Sequence, residues 1–290
     1  MLLTLILMQT PLKRCLALLA SAFALGAGLD AAEPDAKITY KEIDSGDLQL
    51  HVFYPAEGKP DEARPAIVFF FGGGWVNGTP NQFYRQCEHL ASRGMVAMAA
   101  EYRIKSKHGT SPKESVMDAK SAIRWVRSHA KELGIDPQRL AAGGGSAGGH
   151  LAAATATLPH LNQPGEDLSV SCLPDALVLF NPVIDNSPGT FGHNRFKDYW
   201  HDISPLHNIQ PTAPPTIIFL GTEDELIPVS TVEKYQSEME AQGLRCELRL
   251  YQGQPHGFFN KTKYQETLEE TDRFLSSLGY LRENPAFLKN

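Results

Sequence analysis

Residues 139–157 read RLAAGGGSAGGHLAAATAT, and the change of character along this stretch decides the fold. Residues 139–143 fit a short buried strand, and residues 146–157 are alanine-rich and helical. Between them, Gly144-Gly145-Ser146-Ala147-Gly148 matches G-x-S-x-G. Small residues on both sides of the serine let the chain turn sharply from strand to helix with a strained serine backbone, which lifts the hydroxyl out of the turn. The helix starting there directs the positive end of its dipole at the hydroxyl, so negative charge is favoured at that point. The pentapeptide alone also fits a glycine-rich turn with a helix-capping serine. Strand before and helix after make Ser146 a candidate nucleophile.

The same alternation extends outward. Residues 66–71 and 95–100 are continuous apolar runs, as expected of strands covered on both faces. Residues 176–180, 216–220 and 246–251 read as further strands, and residues 83–93, 229–242 and 264–278 as helices. Residues 114–133 read as one long amphipathic helix, with Val116, Ala119, Ile123, Val126 and Ala130 on one face. Asp136-Pro137 breaks the chain before the strand at 139. Residues 38–43 and 48–54 alternate around Ser45-Gly46-Asp47 and predict an antiparallel edge hairpin. Strands alternating with helices imply a mostly parallel sheet of about eight strands, flanked by helices on both faces. Residues 183–213 lack periodicity and are rich in Pro, Asn, His and aromatics, which marks an inserted loop or small cap.

A serine hydroxyl needs a base, and the base needs a carboxylate to orient it. For a serine on such an elbow the chain order is Ser, then Asp or Glu, then His. Residues 221–228, GTEDELIP, follow the strand at 216–220, so the carboxylate belongs there; of Glu223, Asp224 and Glu225 we assign Asp224. His256, in Gln254-Pro255-His256-Gly257-Phe258, lies between the last strand and the last helix and is the expected base. Phe71-Gly72-Gly73-Gly74-Trp75 follows a buried strand and predicts a loop of backbone donors for a negative oxygen, namely the N–H groups of Gly73, Gly74 and Ala147. Trp75 and Trp200 are expected to shape the substrate pocket.

Composition narrows the class. The 290 residues are 42% hydrophobic and 21% charged, with a formal net charge of −6. That is an ordinary globular balance, and no basic block of the kind that neutralises phosphates is present, so nucleic acid is not an expected partner. Lys13 and Arg14 precede an apolar run over residues 15–29 and then small residues, the pattern of a secretory signal peptide. The domain expectation is a removed signal over residues 1–32 and one catalytic domain over 33–290, secreted or periplasmic. The run is short for a membrane span and Cys15 is misplaced for a lipid anchor, so no stable membrane anchor is expected. Cys87, Cys172 and Cys246 are too few for a disulfide framework, although one bridge could form. No Cys or His spacing predicts a zinc site.

The Gly-Gly-Gly-Trp loop, the Gly-Gly-Ser-Ala-Gly-Gly-His elbow, the Gly-Thr-x-Asp-x-Leu-Ile-Pro loop and Pro-His-Gly-Phe together resemble the esterases of the α/β-hydrolase fold over residues 38–280. The likeness is to the branch that includes hormone-sensitive-lipase-like and acetyl xylan esterase-like enzymes. The lipase-like pattern opens its loop with His, and Phe71 stands there instead, which points toward the carbohydrate-associated esterases. The resemblance implies an α/β-hydrolase fold, no metal or cofactor, and a small ester or acetylated glycan as substrate. It also marks Glu101-Tyr102-Arg103 and the helix around Asp118 as scaffold. The aromatics Phe191, Phe196, Tyr199 and Trp200 leave a feruloyl or general short-chain carboxylesterase as an alternative. A peptidase of the prolyl-oligopeptidase kind and a non-catalytic binding protein on the same scaffold are further alternatives.

Overall fold

The computed structural model describes residues 32–56 and 63–284. The expected signal segment lies, except for Ala32, outside the described residues. Eight strands form one sheet in the order β1-β2-β4-β3-β5-β6-β7-β8. They are β1 (Ala36–Lys41), β2 (Leu48–Phe53), β3 (Arg64–Phe70), β4 (Val96–Ala100), β5 (Ile135–Gly145), β6 (Ala176–Phe180), β7 (Thr216–Gly221) and β8 (Cys246–Tyr251). β1 and β2 form the expected antiparallel hairpin at one edge, and β2 also runs antiparallel to β4. All pairings among β3 to β8 are parallel.

The helices are α1 (Tyr84–Ser92), α2 (Lys105–His108), α3 (Pro112–Ser128), α4 (Ala130–Leu133), α5 (Ala147–Thr157), α6 (Trp200–Ile203), α7 (Val229–Ala241) and α8 (Tyr264–Ser277). Strand side chains alternate between two cores, as the two-residue period requires. Ala66, Val68 and Phe70 of β3 join α3, α5 and α7 through Val116, Ile123, Leu151, Val232 and Met239. Ile67 and Phe69 of the same strand join α1 and α8 through Cys87, Leu90, Phe274 and Leu275. The sheet is thus covered on both faces, and its carboxyl edge is left to loops.

Two boundaries differ from the sequence reading. The helix expected over 114–133 starts earlier, at Pro112, because Ser111 and Glu114 close a capping box there. It also ends at Ser128, and α4 follows as a separate turn. Ser128 Oγ donates to Trp125 O at 2.9 Å and His129 Nδ1 lies 2.8 Å from the same carbonyl, beside the His129 backbone N–H at 3.0 Å, and His129 leaves helical geometry at φ −100° and ψ 18°. The break read at Asp136-Pro137 is instead an irregularity inside β5, which runs from Ile135. Arg64 pairs with Ile135 but Ala66 pairs with Leu140, so β5 bulges between the two.

α5 packs unusually close to the sheet. A Cβ on Gly148 would lie 1.9 Å from Phe70 O, so only glycine fits at this point. At its other end, Lys120 Nζ donates to Leu158 O at 2.7 Å and to His160 O at 2.5 Å, which satisfies carbonyls left open by the helix terminus. The residues read as scaffold are scaffold. Asp118, buried in α3, takes Arg103 on its Nε–Nη2 edge at 2.8 and 2.7 Å and Lys41 Nζ at 2.6 Å. Cys87, Cys172 and Cys246 are all free thiols.

Candidate active site

Ser146 caps α5 with φ 55° and ψ −119°, a left-handed conformation that serine avoids. It is held there by three backbone bonds: its N–H donates to Phe180 O at 2.9 Å, and its carbonyl accepts from His150 N–H and Val183 N–H at 3.0 and 3.2 Å. The hydroxyl is set by the turn, not by its own rotamer freedom alone.

The loops after β7 and β8 bring the expected partners to it. Ser146 Oγ is 2.9 Å from His256 Nε2, and His256 Nδ1 is 2.7 Å from Asp224 Oδ2. Asp224 is the right choice among three acids for a geometric reason. Its second oxygen, Oδ1, accepts the N–H groups of Leu226 and Ile227, each at 2.9 Å, and its side chain is 0% exposed. A carboxylate with that many donors is held in one orientation. Glu225 Oε2 instead accepts the His256 backbone N–H at 3.3 Å, away from the ring, and Glu223 is exposed. With Nδ1–H given to Asp224, Nε2 carries the lone pair that receives the serine proton.

The loop at 71–75 lies against the serine. A Cβ on Gly72 would sit 3.3 Å from Ser146 Cβ. Three side chains clamp two peptides of this loop, 71–72 from both ends and 74–75 from one. Gln82 Oε1 accepts from Gly72 N–H at 2.6 Å, Tyr102 Oη donates to Phe71 O at 2.7 Å, and Arg195 Nη1 donates to Gly74 O at 2.8 Å. Burial pushes the Tyr102 phenol up, so it remains a donor. The phenyl ring of Phe71 stacks on Tyr102 with centroids 4.1 Å apart. Turn bonds from Val76 and Asn77 fall on Gly73 O, while the N–H groups of Gly73, Gly74 and Ala147 meet no acceptor among the described residues. Three donors held by others and left open are what a developing oxyanion needs.

Sequence reasoning missed Asn181. It ends β6 with φ 35°, is fully buried, and places Nδ2 3.2 Å from His256 Nε2 while Oδ1 accepts from Gly257 N–H at 3.3 Å. It therefore holds the catalytic ring from the side opposite Asp224's bond. Its signal in the sequence is Asn-Pro at the carboxyl end of a strand, where asparagine tolerates positive φ.

Trp75 requires a correction. Its indole is 2% exposed, donates from Nε1 to His150 Nδ1 at 3.3 Å, and meets Phe196 edge-on at 5.0 Å. The large ring has been taken into the core beside the inserted segment, so it anchors that segment, and only its edge reaches the wall of the neighbouring cavity. Trp200 is half-buried, with ring contacts to His201 and His207. The structure brings neither indole into the hydrogen-bonded set around Ser146. Among the other aromatics of the insertion, Phe196 is buried, and Lys113 lies over the Tyr199 ring at 3.8 Å.

His150, four residues past the serine, ties three elements together. It accepts from Trp75, and its Nε2–H donates to Ile203 O at 2.8 Å, joining α5, the 71–75 loop and the insertion. Burial pulls its pKa down to about 4, partly offset by the Ile203 bond. The unfolded imidazole titrates near 6.5, so its stabilising contribution is complete above that pH and is lost as pH falls toward 4. We expect His150→Gln to flatten the fall in urea-unfolding free energy between pH 7 and pH 4.5 by about 2–3 kcal/mol. An unchanged slope would show that His150 is not the group responsible.

The comparisons with known proteins agree with this geometry. Residues 50–190 match the BD-FAE family and residues 185–277 the dienelactone hydrolase family. Esterase LipC of Mycobacterium tuberculosis is 31% identical over 217 residues, covering 67% of this chain and 52% of that protein. An acetylxylan esterase of Xylanibacter ruminicola is 28% identical over 270 residues, covering 88% of this chain and 52% of that protein. The chain thus spans about half the length of the curated relatives it matches. Among solved structures, the apo form of Thermogutta terrifontis esterase 2 superposes with a TM-score of 0.82 at 46% identity, over 88% of this chain and 98% of that one. The same esterase phosphonylated by sarin gives 0.82 at 45% identity, over 86% and 96%. An esterase superposes on this chain at 46% identity over nearly its whole length, and the chain belongs to the esterases of the α/β-hydrolase fold.

Proposed function

We propose that the protein hydrolyses carboxylic esters through an acyl-enzyme on Ser146, and that its substrate is an acetylated polysaccharide or oligosaccharide met outside the cytoplasm. The unbroken chain Asp224–His256–Ser146, at 2.7 and 2.9 Å, carries the reading. Ser146 Oγ attacks the ester carbonyl as its proton passes to His256 Nε2. The resulting oxyanion takes the open N–H groups of Gly73, Gly74 and Ala147. Collapse expels the alcohol, which leaves with the proton from His256. Water then attacks the acyl-enzyme, gives its proton to the same nitrogen and releases the acid, and Ser146 regains its proton. Asp224 stabilises the imidazolium throughout.

Three observations favour a glycan acetyl ester: the Phe-Gly-Gly-Gly-Trp form of the loop, the signal-like residues 13–29, and the likeness to an acetylxylan esterase. The burial of Phe196 removes one of the four rings that a feruloyl pocket would use. The test is acid release from acetylated and from feruloylated xylan. We expect acetate release to be faster by at least ~10-fold, the size of a misfit of an aromatic acyl group. Equal or faster release of ferulate would overturn the acetyl assignment in favour of a feruloyl esterase.

A further inference from the structure

A cavity of about 700 Å³ opens beside the oxyanion loop, and its wall includes Gly74, Lys105, Thr110, Ser111, Asn194 and Arg195. Its two charged residues come from distant parts of the chain: Lys105 from the segment after β4, and Arg195 from the insertion. Both are cations, and no acidic residue lines the cavity. Residues 103–113, RIKSKHGTSPK, contain no acid at all in a chain whose net charge is −6. Glu114, just behind this wall, is engaged by the Ser111 N–H and hydroxyl at 2.9 and 2.6 Å. Thr110 Oγ1 is buried without a hydrogen-bond partner.

The arginine is the telling group. Its Nη1 is used on Gly74 O at 2.8 Å, which fixes the guanidinium at the carbonyl end of the residue whose own N–H, one peptide earlier, is an assigned oxyanion donor. Among the described residues nothing accepts from its Nε–Nη2 edge, and no carboxylate pairs with it or with Lys105. That edge is the fork that takes a carboxylate two-pronged, as the same edge of Arg103 takes Asp118 here. A cationic fork and an ammonium around one opening form a receptor for an anion, with Gly74 of the oxyanion loop in its wall.

We propose that this cavity is a subsite for a carboxylate carried by the substrate, so that the enzyme selects esters on or beside an acidic sugar unit. The proposal rests on the esterase reading of Ser146 and deepens it. Arg195 and Lys105 hold the carboxylate, and the ester group is thereby laid across Gly74 toward Ser146. The selectivity is electrostatic, so it weakens as salt screens the exposed cations.

The test compares kcat/KM for two small esters, a mono-O-acetyl methyl glucuronoside and the matching acetyl methyl glucoside, with nitrophenyl acetate as reference. We expect the uronoside to be favoured by ~10–100-fold, as one charge-assisted contact gives. The preference is expected to shrink in 0.5 M salt and to fall close to unity in Lys105→Gln and in Arg195→Gln. Arg195→Lys keeps the charge without the fork and is expected to retain only part of it. Turnover of both sugars with no preference for the uronoside overturns the subsite and leaves the esterase reading intact. So does a preference that survives Lys105→Gln and Arg195→Gln unchanged. Failure to turn over nitrophenyl acetate overturns the esterase reading and the subsite with it.

Discussion

Replacing Ser146 with alanine is expected to lower kcat for nitrophenyl acetate by ~10^5-fold or more, with the protein still folded. The loss is this large because, among the described residues, no other nucleophile bonds to His256 Nε2. That nitrogen's recorded partners are Ser146 Oγ and the amide of Asn181, and an amide does not replace a hydroxyl in acyl transfer. A residual rate above water is expected, because the Gly73, Gly74 and Ala147 donors survive the change. The same variant should fail to take up a fluorophosphonate probe that labels the unchanged protein. A Ser146→Ala protein with more than a tenth of the original kcat would end the acyl-enzyme mechanism.

Asp224→Asn is expected to cost ~10^4-fold in kcat while leaving the site's shape nearly intact. The reason is a conflict of donors. Asp224 Oδ1 accepts two backbone N–H groups and Oδ2 faces His256 Nδ1, so all three neighbours of the carboxylate give protons. An asparagine has one acceptor oxygen and one donor group to put in this place. With the oxygen kept on Leu226 and Ile227, its NH2 faces Nδ1, and the ring answers by moving its proton to Nε2. His256 then points a proton at Ser146 instead of a lone pair. Glu225→Gln provides the contrast, since Glu225 touches only the backbone N–H of His256, and its loss is expected to stay within ~10-fold. If Glu225→Gln or Glu223→Gln instead reproduced the large loss, the carboxylate would be misassigned.

The parts of the site legible in the sequence are those that sit at fixed places relative to strands. Ser146 and Asp224 each follow a run whose apolar character marks a buried strand, and His256 follows the alternating run at 246–251, so chain order sufficed to pair them. The clamps on the oxyanion loop were not legible. Tyr102, Gln82 and Arg195 reach the loop from three directions, Arg195 from 121 residues away, and no local pattern records such a meeting. Trp75 misled for a related reason. An aromatic beside a glycine loop looks available to a ligand, but His150 and Phe196 had already claimed its ring. The helix boundary at His129 was hidden because the amphipathic period continues through it, while at the break two side chains turn back on one carbonyl.

Holding a serine at φ 55° and ψ −119° costs about 1–3 kcal/mol, a sizeable share of a total stability of about 5–15 kcal/mol. Random drift erodes such an investment quickly once it earns no return, because most replacements that relax the backbone would survive. A descendant of this scaffold kept only for binding would be free to lose the elbow first, long before its strands. In this chain the strained turn still carries its hydroxyl and still aims it at an imidazole, the feature such a descendant would shed first.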